Sequence, residues 1–121
     1  MNIEVSFRDE DASAVSTSLS EVGAESVEQV EQQGFTGIEL LFLAVVTADA
    51  LSSLLAKLVR LWKKGVVVDT RGPSVEITKN VDLPRGTVLI VSGEHDKVTL
   101  SQPSDSQLEE AISKLGETGK G

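Results

Sequence analysis

The chain contains no cysteine and no tyrosine, and only one histidine among its 121 residues. Without cysteine it cannot form a disulfide, a thiolate metal site or a cysteine nucleophile. The single histidine, His95, lies between Glu94 and Asp96, and neighbouring side chains alternate in direction instead of converging on one ion. We therefore expect no catalytic, metal-binding or cofactor-binding residue, and we interpret the protein as non-enzymatic.

Aromatic residues are also scarce, at 3% of the composition, and no glycine-rich loop with a Lys or Ser/Thr partner is available to bind a phosphate. The net charge is −8. Residues 1–40 hold nine acids against Arg8 alone, whereas the other 81 residues hold ten acids and ten bases. Nucleic-acid binding needs clustered Lys and Arg side chains that contact phosphates. We therefore expect no nucleic-acid partner.

The first residues have neither the basic start nor the apolar core region of a signal peptide. A cytoplasmic setting is therefore the expectation. A chain of this length can bury a core without disulfides or metals. We predict one α+β domain over residues 1–116, followed by a disordered tail over 117–121.

The longest apolar stretch, residues 35–64, organises the rest of the prediction. Thr36 is placed to cap a helix at its start, and Gly65 is placed to end it. In the second half of the stretch, polar side chains recur every three or four residues, as in an amphipathic helix. These polar residues are Asp49, Ser53, Lys57, Arg60 and Lys64.

The first part of the stretch, Ile38–Val46, is apolar on all sides except at Glu39, so it is either a buried helical segment or a buried strand. A single helix over 36–64 would be about 43 Å long. A domain of this size has a radius of gyration of only about 14 Å. We therefore favour two helical segments or one kinked helix, with Thr47 capping the second segment, over a strand followed by a helix.

Residues Leu40–Trp62 also have the length of a membrane span. In that case Asp49 would lie near the middle of the bilayer, and Lys57 and Arg60 would follow it on the same face. Each of these charges would cost about 2.5–3.5 kcal/mol on insertion scales. We therefore favour burial in the core of the protein, and we keep a membrane-associated protein that uses the apolar helix 40–62 as the alternative function.

The remaining segments predict strands and two shorter helices. Val15, Leu19 and Val22 have helical spacing in a segment that ends at Gly23, and Ser104 with Gln107 can form a capping box that opens a last helix ending at Gly116. The polar segment 24–33 is ambiguous, and we prefer an edge strand beside the first strand. Alternating apolar residues predict further strands over 2–8, 66–70, 74–79, 87–92 and 97–101.

These elements together predict an α+β domain. Its mixed, mainly antiparallel sheet packs on a long central helix that is kinked or interrupted, with a short N-terminal helix and a C-terminal helix. The order of the strands does not follow from the sequence.

Residues Ala50–Thr78 combine an Ala/Leu-rich helix, a Val-rich strand, a glycine-containing turn and a second strand. The helix ends in a Leu-x-x-x-Leu-x-x-Trp-like pattern, formed by Leu54, Leu58 or Leu61, and Trp62. This segment resembles the effector-associated constant component, a small bacterial family. Members of this family resemble a shared adaptor protein, which accompanies variable effector enzymes in bacterial conflict or signalling systems. The resemblance implies an adaptor without catalytic residues, with an effector enzyme as its partner.

A cluster of basic residues at the end of the central helix carries the candidate binding site. Its plain interpretation is a solvated helix end, and the sharper one is a docking site for an acidic surface of this chain, a second copy or another protein. Trp62 beside it either closes the core or forms an exposed anchor. We predict a non-enzymatic protein-binding or adaptor module with these candidate partner-binding residues: Lys57, Arg60, Trp62, Lys63 and Lys64.

Overall fold

A computed structural model of the protein describes residues 1–7, 11–34, 37–80, 82–93 and 96–118. His95, the predicted helix cap Thr36 and residues 119–121 of the predicted tail lie outside these ranges. Within them the chain forms seven strands and three helices. Their bounds are β1 (Asn2–Phe7), α1 (Ala12–Glu21), β2 (Glu25–Gly34), β3 (Gly37–Val45), α2 (Ala48–Leu61), β4 (Gly65–Asp69), β5 (Val75–Asn80), β6 (Thr87–Val91), β7 (Lys97–Ser101) and α3 (Asp105–Thr118).

The described strands form one sheet in the order β2-β3-β1-β5-β4-β6-β7. The pairs β1–β5 and β4–β6 are parallel, and the other neighbours are antiparallel. The prediction of a mixed, mainly antiparallel sheet in an α+β fold is therefore confirmed. The first strand of the chain lies in the interior of the sheet, between β3 and β5, so residues from both halves of the sequence pack against it.

The hydrophobic core lies between one face of the sheet and the three helices. Along β1 every second side chain is buried, and Val5 pairs with Phe42 on one side and Ile77 on the other. The aromatic rings of Phe7 and Phe42 stack with their centroids 4.4 Å apart. The helices contribute these buried side chains to the same cluster: Val15 and Leu19 from α1, Leu51, Leu54, Leu55 and Leu58 from α2, and Leu108 and Ile112 from α3.

The long apolar stretch differs from its favoured prediction. Its first part is strand β3, which lies between β1 and β2, so the alternative of a strand followed by a helix is the correct one. A strand with a neighbour on each side satisfies its backbone hydrogen bonds in the sheet and can be apolar on both faces. Thr47 begins α2 as predicted, because its Oγ1 accepts a hydrogen bond from the backbone N–H of Ala50 at 3.1 Å.

The end of the central helix also differs from its prediction. Helix α2 ends at Leu61, and Trp62 is already extended with φ −83° and ψ 138°. Lys63 and Lys64 therefore follow the helix instead of forming its last turn. Gly65 begins β4 and is not the C-terminal glycine of the helix, and its N–H donates to the carbonyl of Leu83 at 3.0 Å.

The polar segment predicted as an edge strand is strand β2, at the edge of the sheet as expected. It pairs with β3, however, and not with β1 as predicted. The reason is that β3 forms an antiparallel pair with β1 from Asn2 to Phe7 and so occupies the position beside it. A β-bulge between Glu25 and Glu28 shifts the register at the start of β2.

The ends of the shorter helices follow local sequence signals. Gly23 has φ +76° and ends α1. Its N–H donates a hydrogen bond to the carbonyl of Ser20, and the N–H of Ala24 donates one to the carbonyl of Leu19. In the predicted capping box, Gln107 N–H donates to Ser104 Oγ at 3.2 Å and Ser104 N–H donates to Gln107 Oε1 at 2.8 Å. Helix α3 then continues to Thr118, two residues past Gly116.

Gly65 is required because the backbone of β4 passes close to Leu83. A Cβ atom at position 65 would lie 2.2 Å from the Cβ of Leu83, and Leu83 cannot move its own Cβ by rotating its side chain. We predict that Gly65→Ala lowers the free energy of unfolding by about 1–3 kcal/mol, as overpacking commonly does. Urea denaturation measures the change.

The matched control is Gly72→Ala, because the nearest atom to a Cβ at position 72 is the carbonyl oxygen of Ser74 at 3.9 Å. Equal effects of the two substitutions would contradict the assignment of a tight contact to Gly65.

Candidate protein-interaction surface

The predicted basic cluster is partly neutralised by acidic side chains from distant parts of the chain. Lys57 Nζ lies 2.7 Å from Glu21 Oε2 on α1. Arg60 lies 3.6 Å from Asp105 Oδ1 at the start of α3, and its carbonyl accepts a 3.3 Å hydrogen bond from Arg85. Both ion pairs are exposed and contribute little to stability. Lys57 and Arg60 thus form ion pairs with acidic side chains of the same chain.

The other three predicted binding residues, Trp62, Lys63 and Lys64, do not share one surface. Lys63 and Lys64 are exposed in the segment between α2 and β4. Trp62 is only 1% exposed and belongs to the core, so the interpretation of Trp62 as an exposed anchor is wrong. Lys79 Nζ lies 5.9 Å from the centroid of the indole ring and 3.0 Å from Asp11 Oδ2, so this cation covers the tryptophan on the side of α1. Partner binding by the four basic residues stays a prediction.

A polar groove of about 210 Å³ lies between α2 and α3, next to the predicted site. Its lining pairs cations with anions: Lys57 and Arg60 come from α2, and Asp105 and Glu109 come from α3. A groove in which both signs are already balanced has little net attraction for a charged partner. The geometry of this side therefore gives less support to docking than the prediction requires.

The face of the sheet opposite the helices has the stronger features of a binding surface. Side chains alternate between the two faces of a strand, and all three described helices pack on the face that carries Val5, Phe42 and Val68. The opposite face carries apolar residues on both halves of the sheet. We call it the open sheet face. Its apolar residues are Leu41, Leu43 and Val45 of β3, Val67 of β4, and Leu89 and Val91 of β6, and its carboxylates are Glu4, Asp69 and Glu76.

The apolar side chains of the open sheet face differ in how far they are covered. Val45 is 38% exposed, and Leu43, Val67 and Leu89 are half-buried. Leu41 and Val91 are buried, at 8% and 6% exposure, although both lie outside the core cluster. The open sheet face therefore retains apolar surface that folding of the described residues leaves in contact with solvent.

Three carboxylates lie side by side between the two apolar halves. Glu4 is directly opposite Glu76 in the parallel pair β1–β5, and Glu76 is directly opposite Asp69 in the antiparallel pair β4–β5. Neighbouring strands are about 4.8 Å apart, so the three groups span about 10 Å. Like charges in directly opposed positions destabilise a sheet. We therefore expect the row to destabilise the folded state.

Asp69 pairs with a cation, Arg71. The guanidinium of Arg71 donates two hydrogen bonds to its carboxylate, from Nε at 3.0 Å and from NH2 at 2.8 Å, and the backbone N–H of Arg71 adds a third at 3.0 Å. The hydrogen bond from the Arg71 side chain is the main cause that holds the pKa of Asp69 below its ordinary value of 3.8. Asp69 is therefore a fixed negative charge at neutral pH.

A hollow of about 240 Å³ opens at the end of the face where the apolar and acidic groups meet. Its lining on the open side includes Glu4, Leu43 and Val45, and Ser26 and Ser74 complete the rim. Ser26 lies in the bulge of β2 with φ +54°. The hollow thus offers an apolar wall beside a carboxylate, an arrangement that fits the aliphatic stem and cationic head of Lys or Arg.

Sequence reasoning missed this surface although part of its signal was present. The run Ile38–Val46 is apolar on every side, which is the pattern of a strand with apolar side chains on both faces. Once that run is assigned to a strand, Leu41, Leu43 and Val45 must lie opposite Phe42 and Ala44. The carboxylate row had no signal in the sequence, because its members are separated by up to 72 positions and meet only through strand pairing.

Comparison with known proteins gives no relative for this chain: no protein-family model, no curated protein and no solved structure matches it. The described helices include none that is long and apolar enough to cross a membrane. Residues 40–62, proposed as an apolar helix in the membrane alternative, are divided between β3 and α2. Among the described residues, no group of three or more His, Asp or Glu side chains is arranged to hold a metal ion.

The carboxylate row predicts that removing its central charge stabilises the protein. Glu76→Gln abolishes the repulsion toward both Glu4 and Asp69 and keeps the size of the side chain, so we expect the free energy of unfolding to rise by a few tenths to about 1 kcal/mol. The control is Glu31→Gln on the edge strand β2, because Glu31 is exposed and lies opposite the uncharged Leu40. Thermal unfolding at low salt compares the two, and a melting temperature of Glu76→Gln at or below that of the unchanged chain would refute the repulsion.

The contact between Asp69 and Arg71 predicts a pH dependence. Because the folded pKa of Asp69 lies below its unfolded value, the contact stabilises the fold above pH 3.8 and this stabilisation is lost as the pH falls through the lower, folded value. Arg71→Gln should raise the pKa of Asp69 toward 3.8, whereas Lys64→Gln should leave it unchanged. Titration of the Asp69 carboxyl by NMR measures both, and an unmoved pKa in Arg71→Gln would show that another group lowers it.

Proposed function

We propose that this protein is a non-enzymatic protein-binding module that docks a basic surface of a partner protein on its open sheet face. One observation carries the proposal. The helices cover one face of a seven-stranded sheet, while the other face keeps apolar side chains beside a row of carboxylates.

Apolar surface is the first part of the argument. Exposed apolar patches on a folded protein commonly mark sites where another molecule binds. The apolar residues of the open sheet face form two groups, one on β3 and one on the adjacent strands β4 and β6, so they are not scattered single residues. Burial of this surface by a partner would contribute about 25 cal/mol for each Å² removed from water, before the costs of association.

Charge is the second part. Glu4, Asp69 and Glu76 form a negative strip across the middle of the face, and Glu28 continues the same row next to Leu43 on β2. A partner with Lys or Arg at matching positions would relieve the mutual repulsion of these carboxylates. Electrostatic complementarity of this kind guides encounter and fixes the orientation of the partner more than it adds affinity.

The hollow at Glu4 gives the partner a specific anchor. A Lys or Arg stem would contact Leu43 and Val45, and its charged head would reach the Glu4 carboxylate. This charge preference is opposite to the one proposed for Lys57, Arg60, Lys63 and Lys64, which would select an acidic partner. The open sheet face has the better support, since Lys57 and Arg60 already contact acids of the same chain.

The resemblance to the effector-associated constant component supplies a biological setting for the proposal. The order of α2, β4, turn and β5 over residues 50–78 agrees with the helix, Val-rich strand, turn and strand of that resemblance. In this setting the protein is a cytoplasmic adaptor, and its basic partner is an effector enzyme of a bacterial conflict or signalling system.

Two synthetic peptides test the charge preference of the open sheet face. One alternates Lys with Leu, and its matched control alternates Glu with Leu. We expect the Lys peptide to shift the backbone amide NMR signals of β1, β3, β4 and β5, with an affinity that falls as salt is added because the charges are screened. The double variant Glu4→Gln with Glu76→Gln should bind it more weakly, and the α3 double variant Glu109→Gln with Glu110→Gln should not.

Equal binding of both peptides would contradict the role of the carboxylates. Shifts confined to the end of α2, near Lys63 and Lys64, would favour the basic cluster and reject the open sheet face.

A further inference from the structure

Strand β7 is an edge of the described sheet, with β6 as its only neighbour there. Two backbone bonds bracket the β6–β7 ladder: Ser92 N–H donates to the carbonyl of Asp96 at 2.9 Å, and Gln102 N–H donates to the carbonyl of Gly86 at 2.8 Å. In an antiparallel pair, backbone groups of successive residues point alternately toward and away from the neighbour. Val98 and Leu100 therefore bond to β6, and the N–H and C=O groups of Lys97, Thr99 and Ser101 point outward from the sheet.

An apolar groove lies beside this edge, on the helix side of the sheet. It has a volume of about 280 Å³ between α3 and strands β6 and β7. Ile90, Val98, Leu100 and Ala111 form its apolar lining, and Val98 is 50% exposed. The edge thus combines outward-pointing backbone groups with uncovered aliphatic side chains, which is what strand addition requires.

We propose that β7 pairs antiparallel with β7 of a second copy of this chain, which joins two sheets into one. The outward groups are centred on Thr99, so a two-fold axis at Thr99 places Lys97 opposite the partner's Ser101 and Thr99 opposite the partner's Thr99. This register forms about six backbone hydrogen bonds. On the helix side it places Val98 opposite the partner's Leu100, so each groove receives aliphatic side chains of the other copy.

Charge distinguishes this edge from the other one and favours a second copy as the occupant. Strand β2 carries Glu25, Glu28 and Glu31, and pairing it with itself would bring carboxylates of two chains together. Strand β7 carries one charge, Lys97, and the proposed register places it opposite a serine and away from the second lysine. Self-pairing at β7 is therefore compatible with a chain of net charge −8.

The pairing has a consequence for binding. A two-fold axis perpendicular to the sheet leaves both helix layers on one side and both open sheet faces on the other. The dimer would present two identical docking surfaces side by side, and a partner with two basic sites would gain from the high effective concentration of the second contact. The dimer itself does not depend on the proposed function, because β7 and the open sheet face use different groups.

Sedimentation equilibrium of the purified chain with two substitutions at position 99 tests the pairing. Thr99→Pro removes an outward N–H without removing a bond to β6, and proline is tolerated on edge strands. Thr99→Val keeps that N–H. We expect the unchanged chain and Thr99→Val to have twice the 12.9 kDa mass of the chain, and Thr99→Pro to dissociate with a Kd raised about tenfold or more.

Val98→Lys provides a second variant if Thr99→Pro does not fold, since Val98 is half-exposed in the single chain and the lysine would enter the shared groove. Circular dichroism checks folding. The proposal is overturned if the unchanged chain is monomeric at high concentration, or if folded Thr99→Pro and Val98→Lys dimerise as tightly as the unchanged chain. It is also overturned if Leu43→Glu on the open sheet face dissociates the dimer, because the contact would then lie on that face.

Discussion

The pairing of β1 between β3 and β5 is the constraint on which the rest of the structure depends. Ile3, Val5 and Phe7 are 1%, 0% and 8% exposed, and they place the first residues of the chain in the centre of the core. A shift of the strand by one residue would move these three side chains to the other face. It would also bring Glu4 and Ser6 among the leucines of α2. The register of one strand therefore determines both the core and the open sheet face.

The same register explains why the protein holds carboxylates in opposed positions. Once Val5 is matched with Ile77, Glu4 must lie opposite Glu76 on the other side of the sheet, and the pairing of β4 with β5 adds Asp69. Arg71 offsets the charge of Asp69 through two side-chain hydrogen bonds. The strand register that forms the core therefore also places these like charges side by side.

How much of this fold the sequence predicted depends on how far along the chain each sequence feature acts. Thr47, Gly23 and the pair Ser104–Gln107 act on backbone groups within four residues, so their roles as caps were correctly identified. The alternating strands were identified for the same reason. The run Ile38–Val46 could not be assigned, because an apolar segment is buried equally well as a helix or as a strand. Only its two neighbours, β1 and β2, decide between them.

Candidate binding residues show the same limit. Lys57 and Arg60 are close in sequence and formed an obvious cluster, yet their ion-pair partners Glu21 and Asp105 are 36 and 45 positions away and could not be inferred. The sequence by itself determined the kind of most elements except the run Ile38–Val46, most of their ends, and the excess of acid in the first third. Only the tertiary structure decided the strand order, the burial of Trp62 and the row of carboxylates. The reason is that these depend on contacts between residues far apart in the chain, whereas patterns and caps depend on neighbours.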